Sequence, residues 1–275
     1  MSTATYHAPA YRPAYTLSDT GVMIARSLRR SVRDPEAFIT ALALPVILML
    51  LFVYVFGGAF NAGVKAGGAG YVNYVVPGLI VLCAGFGAGT TAVAVATDMS
   101  SGIVDRFRSM PMAAWSVLAG QIVASLARNL LATALVIGVG LAVGWRPTGG
   151  PFDWIAAAGL IVLFITALSW LAACFGLVAG SPEAATGASF ALMFIPYLST
   201  AFVPASTMTR VLRPIVANQP FTPLIEAMRG LWMGYTSTGA AVGREALLAV
   251  IYFGGILIVT ASLASWLFRH RTASH

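Results

Sequence analysis

Residues able to do chemistry are scarce in this chain. Of 275 residues only 9% are charged. The three histidines, His7, His270 and His275, all lie in terminal tails. No base therefore stands at a defined depth to activate a serine or cysteine, as hydrolysis or group transfer requires. Cys83 and Cys174 are isolated within apolar runs, without CxxC or Cys/His spacing, which argues against a metal site. They are expected as buried, reduced thiols that pack like small hydrophobes. The chain also has no P-loop ATP site. A phosphate-cradling loop needs Gly-x-x-x-x-Gly-Lys followed by Ser or Thr, and the only lysine, Lys65, is followed by Ala66. The chain is expected to be no enzyme and to carry no cofactor of its own.

Two places remain. The stretch Asp98–Met112 packs two acids, two arginines and a proline between long apolar runs. Within it Ile103, Phe107 and Met110 fall at i, i+4 and i+7, one face of a short helix, with Asp105, Arg106 and Arg108 on the others. Apolar anchors rimmed by charge suit docking into a groove of a partner; the alternative is a surface turn whose charges fix topology. The second place is Arg128, beside Asn129, deep in an apolar run. An arginine at the bilayer centre costs at least about 2.5–3.5 kcal/mol. It either faces other helices or a wet cavity, as part of a substrate path or a polar lock, or belongs to a span that starts late and snorkels to the surface.

The elements that position these residues are read from composition. With 59% hydrophobic residues and a mean hydropathy of +0.85, the chain is far more apolar than a soluble domain, at roughly 45–50%. An all-α membrane protein with about six spans is expected, each near 20 residues. The spans are placed at about 36–56, 74–97, 113–143, 154–179, 185–202 and 247–268. Pro45 falls in the first, and Gly85-x-x-x-Gly89 in the second offers a small face for helix contact. Residues 1–35 hold a polar tail with Pro9 and Pro13 and no apolar leader core. From Ser18, Val22, Met23, Leu28 and Val32 alternate with Arg26, Arg29, Arg30 and Arg33, a basic amphipathic helix suited to the headgroup layer. Residues 203–243 are expected to hold two short amphipathic helices, Thr207–Val216 and Pro223–Met233, dipping into the membrane surface or capping the spans. Ile225, Met228, Leu231 and Trp232 form the apolar face of the second.

Orientation follows from Lys and Arg. An even span count puts both termini on one side with Arg12, Arg26, Arg29, Arg30, Arg33, Arg106, Arg108, Arg269 and Arg271. The other side has Lys65, Arg146, Arg210, Arg213, Arg229 and Arg244. The excess is heaviest beside the first span, which usually dominates. Both termini, loop 98–112 and tail 269–275 are thus expected in the cytoplasm, and 203–243 outside. The basic residues are spread over loops and tails, the pattern of membrane orientation rather than of nucleic-acid binding. By this placement no acid or histidine lies near a span centre, which argues against ion coupling and suits an energy source outside the membrane.

The order of these features resembles the ABC type-2 permeases, and among them the daunorubicin-resistance group of exporter membrane subunits. The resemblance rests on Asp98 to Met112, on Gly120-Gln121-Ile122-Val123-Ala124, Arg128-Asn129 and Gly144-Trp145-Arg146, then on Pro214, Asn218-Gln219-Pro220 and Glu226-Ala227-Met228-Arg229-Gly230. It implies a six-span permease subunit of the plasma membrane that pairs with a second permease, identical or paralogous, and with two cytoplasmic ABC ATPase subunits carrying ATP and Mg. Coupling to the ATPase would fall on Gly102, Ile103, Asp105, Arg106, Phe107, Arg108 and Met110. The loop departs from many relatives in reading Ser100-Ser101-Gly102-Ile103, where they carry a charged residue. The implied cargo is a hydrophobic drug, antibiotic or lipid leaving the cell. Export of a lipid-linked polysaccharide, or an ATPase-independent carrier or lipid scramblase, is the alternative.

Overall fold

The computed structural model describes residues 35–55, 57, 70–100, 114–179 and 181–271. The N-terminal amphipathic stretch, the Lys65 loop and the coupling segment from Gly102 to Met110 lie outside the described residues.

Among the described residues all regular structure is helical. The elements are α1 (Pro35–Leu50, prolonged by a wider turn over Leu51–Val55), α2 (Gly70–Ser100), α3 (Ala114–Val143), α4 (Pro151–Val178), α5 (Pro182–Phe194), α6 (Leu212–Asn218), α7 (Phe221–Met233) and α8 (Val242–Arg271). Four of them, α2, α3, α4 and α8, are long and apolar enough to cross a membrane. α1 with its prolongation runs from Pro35 to Val55, over the segment read at 36–56, and the sequence there is apolar from Ala37 onward. α5 has 13 residues, about 20 Å of rise, short of a hydrocarbon core of about 30 Å. Pro196 lies in the run that follows, where Ile195–Leu198 tightens into a 3₁₀ turn.

α2 and α4 form the centre. Their most apolar windows are each 67% buried, against 17% for α8. Glycines set how closely they approach each other and the chain after α5. A Cβ on Gly176 of α4 would lie 2.4 Å from the Ala92 carbonyl oxygen, and one on Gly78 of α2 would lie 2.7 Å from the Ala201 backbone. The Gly85/Gly89 face is close at one of its two glycines: Gly85 leaves ordinary contact distances to Phe164, whereas a Cβ on Gly89 would lie 3.1 Å from Ser189 of α5. The outer face of α8 shows Leu247, Ile251, Ile258, Val259 and Trp266, side chains suited to hydrocarbon rather than water.

One end of the bundle gathers the start of α2, the 144–150 turn and the 203–241 segment. The Arg146 amide donates to Asn73 Oδ1 at 3.1 Å, and the Thr148 and Gly149 amides donate to the Trp232 carbonyl. Trp145, Trp154 and Trp232 cluster there, Trp145 edge-on to the other two, with centroids 5.2–6.1 Å apart. The opposite end holds a smaller apolar cluster of Leu118, Ile122, Trp170, Cys174, Leu177 and Ala264.

The helices of the 203–243 segment differ from their sequence reading. The first is Leu212–Asn218 and the second begins at Phe221. More important, α7 is not a surface helix. Its residues from Phe221 to Gly230 are buried without exception, including Thr222, Glu226 and Arg229. The reason is its place against α2, α4 and α8, where its polar groups find internal partners. A Cβ on Gly230 would sit 2.5 Å from a Val242 methyl, so the α7–α8 approach depends on that glycine. Gly234, at φ +74°, ends α7 and returns its amide to the Gly230 carbonyl.

Candidate functional site

Polar groups inside the bundle fall into two sets, and neither resembles a reaction centre. The first begins where α2 ends. Gln121 Nε2 donates to Asp98 Oδ2 at 2.6 Å, both side chains being buried. Deeper in, Thr91 Oγ1 donates to Ser125 Oγ at 2.7 Å, and Asn129 Nδ2 donates to the same oxygen at 3.2 Å. A hydroxyl oxygen has two lone pairs and one proton. With both lone pairs of Ser125 engaged, its proton goes to Ser169 Oγ of α4, 2.9 Å away. Asn129 fits only because residue 87 has no side chain: a Cβ on Gly87 would lie 1.4 Å from Asn129 Oδ1.

Of the residues singled out from sequence, Asn129 is thus a buried member of a three-helix hydrogen-bond network. Arg128 is half-buried beside it and already engaged. It lies near the middle of α3, which runs Ala114–Val143.

The second set was missed from sequence, which left Arg128 as the one deep charge. The structure buries Asp98, Glu226, Arg229 and Glu245 more completely. Glu226 and Arg229, one turn apart on α7, form an ion pair with neither side chain exposed. Charges taken out of water this far are tolerated only when their remaining hydrogen-bond capacity is met. Here it is. Glu226 Oε1 accepts from Thr200 Oγ1 at 2.7 Å and from Ser237 Oγ at 2.6 Å. Oε2 accepts from the Ser237 amide at 2.6 Å. Arg229 Nε and Nη2 donate to the Tyr74 carbonyl at 3.2 and 3.1 Å, and Nη2 also reaches the Thr200 carbonyl at 3.1 Å. Its guanidinium carbon lies 3.9 Å over the Tyr74 ring, a cation–π contact. The Tyr74 hydroxyl closes the cluster on the Thr200 carbonyl at 2.9 Å.

Burial alone pushes the Glu226 carboxyl up. The Arg229 charge and the hydrogen bonds from Ser237 and Thr200 outweigh it and hold the group below the usual carboxylate range. Burial works against the Arg229 charge, and Tyr74 and Glu226 more than restore it. One guanidinium therefore fastens α7 to α2, to the chain after α5 and to the strap after Gly234. The sequence signal was a Glu-x-x-Arg pair in a helix with too few polar positions for a solvated face. The partners, at Tyr74 and Thr200, are too distant along the chain to be read with it.

The Thr200 and Ser237 hydroxyls do donate to the Glu226 carboxylate, but that carboxylate is fully buried and committed to Arg229, and among the described residues no group of three or more His, Cys, Asp or Glu could hold a metal. The arrangement can fix helices relative to each other and can move as a unit.

Comparison with known proteins gives a consistent picture. The sequence profile described as ABC-2 type transporter matches residues 18–233. A daunorubicin resistance ABC transporter permease protein of Streptomyces coeruleorubidus is 29% identical over 261 residues, covering 94% of this chain and 89% of that protein. A probable doxorubicin resistance ABC transporter permease protein of Mycobacterium tuberculosis is 25% identical over 245 residues, covering 89% and 86%. A second doxorubicin resistance ABC transporter permease protein of the same species is 24% identical over 241 residues, covering 82% and 80%.

Proposed function

We propose a mechanism for a chain that belongs to the ABC-2 type transporter family and is a multi-pass membrane permease subunit for drug efflux. Its power comes from a separate cytoplasmic ABC ATPase, which carries ATP and Mg. The observation that carries this is a contrast within the sequence. The match to an ABC transporter family runs through residues 18–233, yet the chain lacks a phosphate-binding loop, Lys65 being its only lysine.

The finer assembly is part of the proposal. Two permease subunits, identical or paralogous, pair with two ATPases. The α1 region and α5 with its following turn provide two further crossings, making six, with both termini in the cytoplasm. Loop 98–112 faces the ATPase and docks there through Ile103, Phe107 and Met110, with Gly102, Asp105, Arg106 and Arg108 around them. The cargo is a hydrophobic drug, antibiotic or lipid. Daunorubicin and doxorubicin, named in the relatives, are the first to try. Arg128 and Asn129 belong to the route or to the helix contacts that shape it.

The test is co-expression with a candidate ABC ATPase carrying a phosphate-binding loop, beginning with any that is encoded next to this chain. The expected result is a complex that survives purification and hydrolyses ATP faster when either drug is added. A chain that retains no ATPase through purification would overturn the proposal.

A further inference from the structure

The hydrogen-bonded ladder that begins at Asp98 has a geometry that the proposed coupling needs. Its rungs are Asp98–Gln121, Thr91–Ser125 and the seating of Asn129 over Gly87. On α2 they stand at 98, 91 and 87. On the antiparallel α3 they stand at 121, 125 and 129. The ladder therefore starts within the last turn of α2 before the loop and reaches about 16 Å up the helix pair. Ser125 then joins it sideways to Ser169 of α4, a serine with no exposed surface. α4 is also held against α2 at backbone contact, through Gly176 and the Ala92 carbonyl.

A purely apolar helix pair is held by packing alone and tolerates small slides. Polar rungs do not, because a slide of one residue strands several donors and acceptors where no water replaces them. Each rung is modest, about 0.6 kcal/mol on average in membrane helices. Together they specify register, as buried polar residues do elsewhere.

We infer that Asp98, Gln121, Ser125 and Ser169 are positioning residues for energy coupling: they lock α2, α3 and α4 into one rigid unit, so that a push on loop 98–112 is delivered to all three helices instead of being lost as sliding between the two that flank the loop. This rests on the proposed role of that loop in docking the ATPase.

The experiment uses the full chain reconstituted in liposomes with its ATPase, and reads drug moved per ATP hydrolysed. Gln121→Glu sets a second carboxylate against Asp98. It should leave assembly and basal hydrolysis intact and lower drug moved per ATP by about fivefold or more. Adding Asp98→Asn restores one amide facing one carboxylate, with the roles exchanged, and should bring the ratio back towards wild type. Ser125→Ala, a loss of one oxygen atom at the three-helix junction, should lower the ratio in the same direction and serves if Gln121→Glu does not assemble. The inference is overturned if the single variants move as much drug per ATP as wild type. It is overturned equally if transport and hydrolysis fall in the same proportion, or if the exchanged pair does not rescue. Wild-type transport without any ATPase would fail the exporter reading itself, and this inference with it.

Discussion

Replacing Arg229 by methionine is the most exacting test of the packing described above. The side chain has no exposure. Its three nitrogens reach the Tyr74 and Thr200 carbonyls, Glu226 and Ser237. Methionine fills much of the volume and makes none of these bonds. Glu226 would keep Thr200 and Ser237 as donors but lose its countercharge in a site closed to water. Removing one member of a buried pair costs about 3–5 kcal/mol, whereas replacing both by apolar residues is often far cheaper. Glu226→Leu with Arg229→Met should therefore be more stable than Arg229→Met alone. The assay is equilibrium unfolding in mixed micelles, followed by tryptophan fluorescence, since Trp232 lies on the same helix as the pair. An Arg229→Met loss under about 1 kcal/mol, the scale of an exposed pair, would refute the reasoning. A double variant as unstable as the sum of the two singles would do the same.

Other outcomes follow from the same contacts. The folded Glu226 carboxyl titrates below its unfolded value of about 4.3, held there against burial by Arg229 and by hydrogen bonds. Its contribution is therefore complete above that value and is lost as pH falls through the folded value. The stability gap between wild type and Glu226→Gln should shrink on acidification from about pH 7 to about pH 3; a gap that widens contradicts the assignment. Gly87→Ala places a methyl group 1.4 Å from Asn129 Oδ1 and should cost roughly 1–3 kcal/mol. Adding Asn129→Ala should recover part of that loss, and strictly additive losses would show that the two do not meet. Phe107→Ala or Arg106→Glu should reduce recovery of the ATPase with the permease while membrane insertion is unchanged, read by co-purification; undiminished recovery counts against docking through that face.

How much of this was legible in the sequence depended on how local each determinant was. Long apolar runs declare themselves, and α2, α3, α4 and α8 enclose or nearly match the segments read at 74–97, 113–143, 154–179 and 247–268. Cys83 and Cys174 are buried, as their apolar neighbours implied. The stretch read at 185–202 holds Pro196, and its helix stops at Phe194. The small face at Gly85 and Gly89 was visible, but closer contacts fall at Gly78, Gly87, Gly149, Gly176 and Gly230. Their closeness depends on the register of the facing segment, which one helix does not encode. The same applies to Glu226 and Arg229. As isolated charges they belong at a surface; their burial is possible because other segments bring the Tyr74 and Thr200 carbonyls to Arg229 and the donors of Thr200 and Ser237 to Glu226. Asn129 stood out as polar in an apolar run, whereas its junction at Ser125 looked like any serine in a span.

The central claim is that this chain is the membrane half of an ATP-driven exporter. It is tested most directly in liposomes holding the chain alone, its partner ATPase alone, or both, loaded with ATP and Mg on the side the ATPase occupies. Movement of daunorubicin or doxorubicin away from the ATPase side should appear only with both chains and ATP present, and should stop when a non-hydrolysable analogue replaces ATP. Movement by the chain alone, at the same rate with or without ATP, would contradict the account.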